Sequence, residues 1–283
     1  MLCEGSLPRV EAQDLADFAW APVGVDVNTP NVARMYDYFL GGKDHFPADR
    51  AAADKILEVV PEVPAAVRGS RDFLMRAVRY LTDAGMRQFI DIGTGLPTQD
   101  NVHQVAQRVA PDSRVVYVDN DPVVLAHARA LLADVDQVNV LKGDLRRPEE
   151  IIEQADGFID FTRPVAIMLV AILHFVPDAA DPFKIVGRLR EAMAPGSHLA
   201  LAHATADEGR PEDVPRVLSV YERSNAPVVM RTHQEILGFF DELELLPPGL
   251  VYTADWRPGD AAAPPGAAEK SHVYCAVARK NPA

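Results

Sequence analysis

The chain has 283 residues, of which 48% are hydrophobic and 24% are charged. This composition is typical of a globular protein and excludes intrinsic disorder over most of the chain. The 28 basic and 41 acidic residues give a formal net charge of −13, which disfavours nucleic acids and anionic membranes as partners.

The first 85 residues predict an irregular arm over residues 1–30, followed by helices. Asn31 suits the N-cap of the first helix, and Gly41 suits its end. Pro61 and Pro64 interrupt the pattern between the second and third helices. The predicted helices cover residues 31–40, 47–60 and 69–84.

From residue 86 onward, short apolar runs alternate with helical patterns. Strands are expected at 89–92, 114–118, 138–141, 165–170 and 197–202, with helices at 98–109, 122–132, 148–154 and 182–193. This alternation on short connections predicts a parallel sheet covered by helices on both faces.

The last 70 or so residues predict a different arrangement. Helices are expected at 212–224 and 232–241, strands at 244–246, 250–252 and 272–278, and a surface loop at 260–268. Late strands joined by a long loop indicate an antiparallel addition to the parallel sheet.

No targeting, membrane or metal signal is present in the sequence. The longest apolar run, Val165 to Val176, has about 12 residues and is too short to cross a bilayer. The N-terminus lacks the basic and apolar regions of a secretory signal. Cys3 and Cys275 lie at opposite ends and predict neither a disulfide framework nor a zinc site. We therefore expect a cytoplasmic protein without a metal centre.

Three consecutive predicted strands end in residues that suit a ligand site. The first is followed by the glycine loop Asp91–Pro97, where a ligand can approach the backbone closely. The second ends at Asp119, about 24 residues after Gly95, where an acid can accept hydrogen bonds from both ribose hydroxyls. The third ends in Lys142–Leu145, in which Asp144 can accept a hydrogen bond from an adenine amino group.

Each of these signals also has a purely structural explanation. The glycines can form a plain tight turn, and Asp144 can be a turn residue. Asp121 is best explained as the N-cap of the helix that begins at Pro122. All three signals at successive strand ends are much less expected by chance than any one alone.

With these residues in place, the sequence resembles the class I S-adenosylmethionine-dependent methyltransferases over residues 86–204 and the late strands. More narrowly, it resembles the S-adenosyl methyltransferase family whose substrate is uncharacterised. Two motifs carry this narrower resemblance, Asn31–Asp44 (NVARMYDYFLGGKD) and Asp91–Thr98 (DIGTGLPT).

The resemblance implies an α/β fold: a Rossmann-like, seven-stranded, mostly parallel sheet with its last strand antiparallel, helices on both faces and an N-terminal helical lid. It divides the chain into an arm and lid over 1–85 and an S-adenosylmethionine-binding domain over 86–283. Gly93 and Gly95 would face the methionyl part of the cofactor, Asp119 the ribose and Asp144 the adenine. The full expected cofactor set is Arg34, Tyr36, Asp91, Gly93, Thr94, Gly95, Asp119, Asn120, Gly143, Asp144 and Leu145.

The lid segment also offers a cation for the cofactor carboxylate. Arg34 suits that role because a guanidinium binds a carboxylate through two hydrogen bonds, and Arg71 is the alternative. The structural explanation for Tyr36 is a helix that packs its aromatic residues against the sheet.

Candidates for catalysis are few, which is consistent with methyl transfer. The reaction is an in-line displacement, so the protein must chiefly orient the acceptor and exclude water. A general base is needed only when the acceptor must lose a proton early. His174 and His203, which follow the fourth and fifth predicted strands, are the candidate bases; the alternative is hydrogen bonding to the backbone.

The favoured hypothesis is a methyltransferase that uses S-adenosylmethionine and acts on a small-molecule acceptor. One alternative is a regulatory module that binds the cofactor or its homocysteine product without turnover. Another is a nicotinamide-dependent oxidoreductase, which Pro97 and Thr98 in the glycine loop disfavour.

Overall fold

The structure of the protein is a computed structural model that describes residues 25–97, 101–132, 135–258 and 272–282. Several predictions lie outside these ranges: the arm before residue 25 with Cys3, the helix start at residues 98–100, and the loop at 260–268.

A single mixed sheet forms the centre of the described protein. Within the described ranges its strands are β1 (Gln88–Ile92), β2 (Arg114–Asp119), β3 (Val138–Lys142), β4 (Ala166–Val170), β5 (His198–Ala204), β6 (Glu244–Leu245), β7 (Val251–Tyr252) and β8 (Val273–Arg279). The strand order is β3-β2-β1-β4-β5-β8-β6, and β7 also pairs with β8. Strands β1 to β5 are parallel, whereas β8 is antiparallel to β5, β6 and β7. The predicted fold class is therefore confirmed, with two short strands sharing the outer edge of β8.

Helices cover the sheet. Those in the described ranges are α1 (Val32–Leu40), α2 (Pro47–Leu57), α3 (Val63–Asp83), α4 (Val102–Val109), α5 (Pro122–Leu132), α6 (Pro148–Ala155), α7 (Pro182–Ala192), α8 (Val214–Tyr221) and α9 (His233–Leu237). The sequence placed the start of α3 too late, near Gly69. Pro64 lies in its first turn, where a missing backbone N–H costs nothing. None of these helices combines the length and apolar character needed to cross a membrane.

The two faces of the sheet bury separate apolar layers. In β1, Phe89 packs with α3 and α4, while Ile90 and Ile92 pack with α6 and α7 on the opposite face. This alternation follows from the two-residue period of a strand. The order of strands reverses between β1 and β4, and an open α/β sheet binds its ligands in the crevice at such a point.

The first two helices, α1 and α2, form a small core apart from the core of the sheet. Met35 and Phe39 of α1 form a small core with Ile56 of α2, Val67 of α3 and Val217 of α8. In contrast, most of the buried face of α3 belongs to the core of the sheet. The division of the chain at residue 85 remains a prediction, but α3 itself is integrated with the sheet.

The glycine pair that ends α1 has a specific structural basis. Gly41 has φ +80°, and its N–H bonds the carbonyl of Tyr38, as in a left-handed helix cap. A Cβ on Gly42 would overlap the carboxylate of Asp37, which is buried and accepts the N–H of Asp44 at 2.9 Å. The Gly-Gly-Lys-Asp sequence therefore closes the helix by internal hydrogen bonds.

Candidate functional site

A cleft of 80 Å³ lies at the carboxyl ends of β1, β2 and β4. Its walls combine the glycine loop, the end of β2, the turn after β4, and parts of α1 and α3. The predicted site residues that line it are Tyr36, Asp91, Gly93, Thr94, Gly95, Asp119 and Asn120, together with the alternative cation Arg71. The structure thus brings two of the three predicted strand ends together.

The two loop glycines differ in what surrounds them. Gly93 has φ +73°, and a Cβ there would lie 2.5 Å from Cγ1 of Ile172. Gly95 has φ +66°, but no atom lies within 4 Å of its Cβ position. Gly93 is therefore required by packing and backbone conformation, whereas Gly95 leaves open space beside the backbone.

Asp91 is a buried acid in the wall of the cleft. Its carboxylate accepts the hydroxyl of Thr94 at 3.0 Å. Burial raises the pKa of Asp91 to about 6, and the nearby guanidinium of Arg71 opposes this shift. The carboxyl therefore retains its charge at neutral pH, with a cation close by.

Asp119 is held by the backbone that surrounds it. Its carboxylate accepts the N–H of Gly95 at 3.0 Å and that of Asp121 at 2.9 Å. Burial raises the pKa of Asp119 to about 6. The N–H of Asn120 is a third backbone donor to this carboxylate, which offers about four acceptor positions and so keeps acceptor capacity for a ligand.

Asp121 has the capping role that the sequence predicted. Its carboxylate accepts the N–H groups of Val123 at 2.6 Å and Val124 at 3.2 Å, at the start of α5. It also accepts Nδ2 of Asn31 at 2.6 Å, which fastens the start of α1 across the cleft. Asn225 makes a second contact with the start of α1, because its side chain accepts the N–H of Val32 at 2.8 Å.

The attachment of α1 through Asn31 predicts a measurable effect of Asn31→Ala. The Asn31 side chain also caps α1, and loss of a cap costs about 1 kcal/mol, or roughly fivefold in an opening equilibrium. Amide hydrogen exchange over residues 32–40 should therefore accelerate by about fivefold. The exposed Asn28→Ala serves as the matched control, and equal exchange in both variants would contradict the attachment.

The end of β3 does not contribute to the lining of the cleft. Asp144 pairs with Arg146, with oxygen–nitrogen distances from 2.5 to 3.0 Å, and this hydrogen bonding lowers the pKa of Asp144. A Cβ on Gly143 would lie 2.7 Å from Val118, so this glycine is explained by packing. Leu145 is buried in the core of the sheet. The cofactor roles of these three residues remain predictions.

Arg34 lies in α1, outside the lining of the cleft. It donates to the carbonyls of Asp26 at 3.0 Å and Thr29 at 3.3 Å, and it faces Asp49 at 3.5 Å. These contacts fix the segment that leads into α1, and the cofactor role of Arg34 remains a prediction. Arg71 lines the cleft beside Asp91 and is the better-placed candidate cation.

A second, larger cavity of 470 Å³ adjoins the cleft. Four residues line both spaces: Val32, Tyr36, Ala171 and Phe175. Most of the cavity wall is apolar and comes from α1, α2, α3 and α8. Its volume falls within the range of about 300–1,000 Å³ that is usual for small-molecule sites. No local sequence pattern predicts this cavity, because residues from helices distant in the chain form it.

The two candidate histidines occupy different positions. His174 lines the larger cavity, and its Nδ1 accepts the N–H of Ala204 at 3.2 Å. His203 is fully buried; its Nδ1 bonds the carbonyl of Ala204 at 2.7 Å, and its Nε2 bonds Arg231 at 2.9 Å. Burial lowers the pKa of His203 to about 3. Both ring nitrogens of His203 are therefore engaged, which disfavours the predicted role of His203 as a base.

Comparison with known proteins identifies close relatives. The sequence model of a family described as S-adenosyl methyltransferase matches residues 18–281. A DUF574 family protein from Streptomyces avermitilis has 44% identity and a TM-score of 0.85, over 90% of this chain and 99% of that one. A candidate methyltransferase from Thermobifida fusca has 42% identity and a TM-score of 0.84, over 93% and 100% of the two chains. A comparison with curated proteins finds no match.

Proposed function

The chain belongs to the S-adenosyl methyltransferase family, and from this premise we propose that it methylates a small, mostly apolar acceptor. One observation carries the proposal: the cleft of the glycine loop and Asp119 shares a wall with a larger apolar cavity. A methyltransferase needs two adjoining spaces of this kind, one for the methyl donor and one for the acceptor.

The residues of the cleft fit a nucleoside cofactor. Gly95 leaves the backbone open, where any larger residue would place a Cβ in the cleft. Asp119 keeps acceptor capacity for ribose hydroxyls, and Arg71 offers a cation for a carboxylate. When bound, S-adenosylmethionine supplies an activated methyl group on a sulfonium sulfur.

The cleft must widen to hold a whole cofactor. Its 80 Å³ lies well below the roughly 300 Å³ at which small-molecule sites usually begin. Asn31, Val32 and Tyr36 form one wall of the cleft. We therefore expect α1 to move outward when the cofactor enters and to cover it afterwards, which would exclude water from the reaction.

The larger cavity suits the acceptor. Its apolar wall would bind a hydrophobic ring or chain, and the shared residues Tyr36 and Phe175 mark where the two ligands would meet. The net charge of −13 also favours a small molecule over a nucleic acid. The cytoplasm, the site of S-adenosylmethionine synthesis, is the proposed location.

The direct test is calorimetric titration with S-adenosylmethionine, S-adenosylhomocysteine and NAD. Binding of the two sulfur ligands, near the −8 kcal/mol of a micromolar site, would support the proposal. Binding of NAD alone would favour an oxidoreductase. Tight binding without S-adenosylhomocysteine formation across a panel of apolar acceptors would favour a regulatory module.

Filling the cavity should separate the two ligands. Val217 is buried on α8 and lines the larger cavity but not the cleft. Val217→Phe should abolish turnover of any acceptor found in the panel, while S-adenosylhomocysteine affinity stays within about twofold. Ser219→Phe, on the exposed face of the same helix, is the matched control and should retain turnover. Full turnover in Val217→Phe would place the acceptor elsewhere.

A further inference from the structure

His174 lines the larger cavity, in which we propose that the methyl acceptor binds. Its imidazole ring can form a hydrogen bond with a ligand there. It follows β4 in a short 3₁₀ turn, Leu173–Phe175, and only 7% of its surface is exposed. Its ring packs edge-on against Phe175, with centroids 4.3 Å apart, and against His203 at 5.5 Å. These contacts fix the ring plane at the cavity wall.

The hydrogen bond to Ala204 determines which nitrogen carries the proton. A backbone N–H can donate only to an unprotonated ring nitrogen, so Nδ1 of His174 holds a lone pair. The neutral ring must then carry its proton on Nε2. His174 is therefore arranged as a hydrogen-bond donor through Nε2, and its one lone pair is already engaged.

The charge around His174 keeps the ring neutral. Burial, followed by the neighbouring His203 and the cation Arg231, lowers the pKa of His174 well below its usual range. Arg231 is itself buried and bonds Nε2 of His203, and its acidic partner Asp178 lies mostly in solvent. Arg231 therefore adds a positive potential at the imidazole, and such a potential favours a negative ligand atom beside the ring.

Other charged groups line the cavity, but none of them pairs with His174 in the described residues. Asp213 is bonded to Arg210 at 2.6 Å and to Arg216 at 3.3 Å. The remaining ionisable side chains of the lining are Tyr36, Glu62, Glu208, Tyr221 and His272.

We propose that Nε2–H of His174 donates a hydrogen bond to an oxygen of the acceptor, and that this acceptor is an apolar ring compound bound as its phenolate or enolate. The proposal rests on the proposed methyltransferase function. An anionic oxygen keeps further lone pairs for attack while it accepts a hydrogen bond, whereas an amine would lose its only lone pair to the same donor.

The chemistry balances without a base on the protein. The hydroxyl proton leaves to water before the acceptor binds. The oxygen lone pair then forms the new C–O bond as the C–S bond breaks, and the sulfonium sulfur takes back its electron pair. His174 binds and orients the oxygen throughout and keeps its own proton.

The first test reads the tautomer directly and needs no acceptor. Long-range ¹H–¹⁵N correlation spectra of the ¹⁵N-histidine-labelled full chain distinguish Nε2–H from Nδ1–H, and His174→Gln identifies the signal by its loss. We expect the Nε2–H form, with no protonation of the ring near the usual histidine pKa of about 6.5. An Nδ1–H form, or an imidazolium that appears near the usual histidine pKa of about 6.5, would overturn the proposal.

The second test uses 2-naphthol as an acceptor probe and 2-naphthylamine as its matched amine. Both are titrated, with S-adenosylhomocysteine present, into the wild type, His174→Gln and His174→Phe. Naphthol affinity should rise with the ionisation of naphthol itself, stay within about threefold in His174→Gln, which keeps an N–H donor, and fall by about tenfold or more in His174→Phe.

The outcomes separate the two proposals. If the wild type binds S-adenosylhomocysteine but prefers naphthylamine, or binds neither probe, the acceptor class is wrong while the methyltransferase function stands. If the wild type binds no S-adenosylhomocysteine, the function itself fails, and the tautomer result is still independently readable. Equal naphthol affinity in the wild type and His174→Phe would remove His174 from acceptor binding.

Discussion

Asp119→Asn is expected to weaken S-adenosylhomocysteine binding by about five- to 30-fold. A hydrogen bond to a charged group contributes about 1.5–3 kcal/mol and a neutral one about 0.5–1.5 kcal/mol, so loss of the charge on the ribose hydrogen bonding removes about 1–2 kcal/mol. Each 1.4 kcal/mol corresponds to a factor of ten in affinity. Calorimetric titration of the two proteins at neutral pH measures the difference.

Asp144→Asn is the matched control for this result. Its carboxylate already pairs with Arg146 and does not line the cleft, so affinity should change by less than about threefold. A loss comparable to that of Asp119→Asn would restore the predicted adenine role of Asp144. An unchanged affinity in Asp119→Asn would remove the ribose role of Asp119.

The same carboxylate predicts a pH dependence of cofactor binding. The pKa values of Asp119 and Asp91 are each raised to about 6, so both groups are mainly ionised at neutral pH and take up protons below it. A protonated Asp119 is a weaker acceptor for ribose hydroxyls, and affinity should therefore fall as the pH drops through about 6. Asp119→Asn should lose most of this dependence.

Gly93→Ala is expected to lower the free energy of unfolding by about 2–5 kcal/mol. The left-handed conformation costs a residue with a Cβ about 1–2 kcal/mol, and the overlap with Ile172 adds about 1–3 kcal/mol, as overpacking usually does. Urea denaturation measures the loss. Because Gly93 itself lines the cleft, cofactor binding should fall together with stability.

Two further variants separate the causes. Gly93→Ala with Ile172→Ala removes the contacts with Cγ1 and Cδ1 of Ile172 but keeps its Cβ at 2.8 Å, so the cost beyond that of Ile172→Ala alone should shrink towards the backbone contribution without reaching it. Gly95→Ala meets no neighbour and should cost only about 1–2 kcal/mol of stability, yet its Cβ enters the cleft and should abolish cofactor binding. If Gly95→Ala binds normally, the cofactor does not approach this part of the loop.

These predictions assign different tasks to neighbouring parts of one site. The glycine loop and Asp119 would hold the cofactor, α1 would cover it, and the cavity beside Tyr36 would hold the acceptor. This site lowers the stability of the fold, because burial raises the pKa of both Asp91 and Asp119 and so disfavours their charged forms. This loss of stability is consistent with two carboxylates that serve ligand binding rather than folding.

Local sequence patterns determined much of the architecture. The short apolar run Phe89–Ile92 and the helical pattern that begins at Pro122 predicted elements that the structure contains. The glycine loop and Asp119 were also predictable, because they follow adjacent parallel strands and the ends of such strands meet at one edge. Asp121 could be assigned as a cap from its position alone.

Only the tertiary structure decided which side chains face each space and what they bind there. Arg34 and Arg71 were equivalent candidates by residue type, but the lid engages the first and the cleft receives the second. The sequence placed both His174 and His203 after strands, yet His174 lines the cavity, whereas His203 lies within β5 and has both ring nitrogens hydrogen-bonded to Arg231 and the backbone. Such choices depend on partners that are remote in sequence: Arg231 lies 28 residues from His203, and Ala204 lies 30 from His174. Periodicity and turn chemistry act over a few residues, so they fix where an element begins and ends, whereas packing across the fold fixes the partner, the charge and the tautomer of each group in the site.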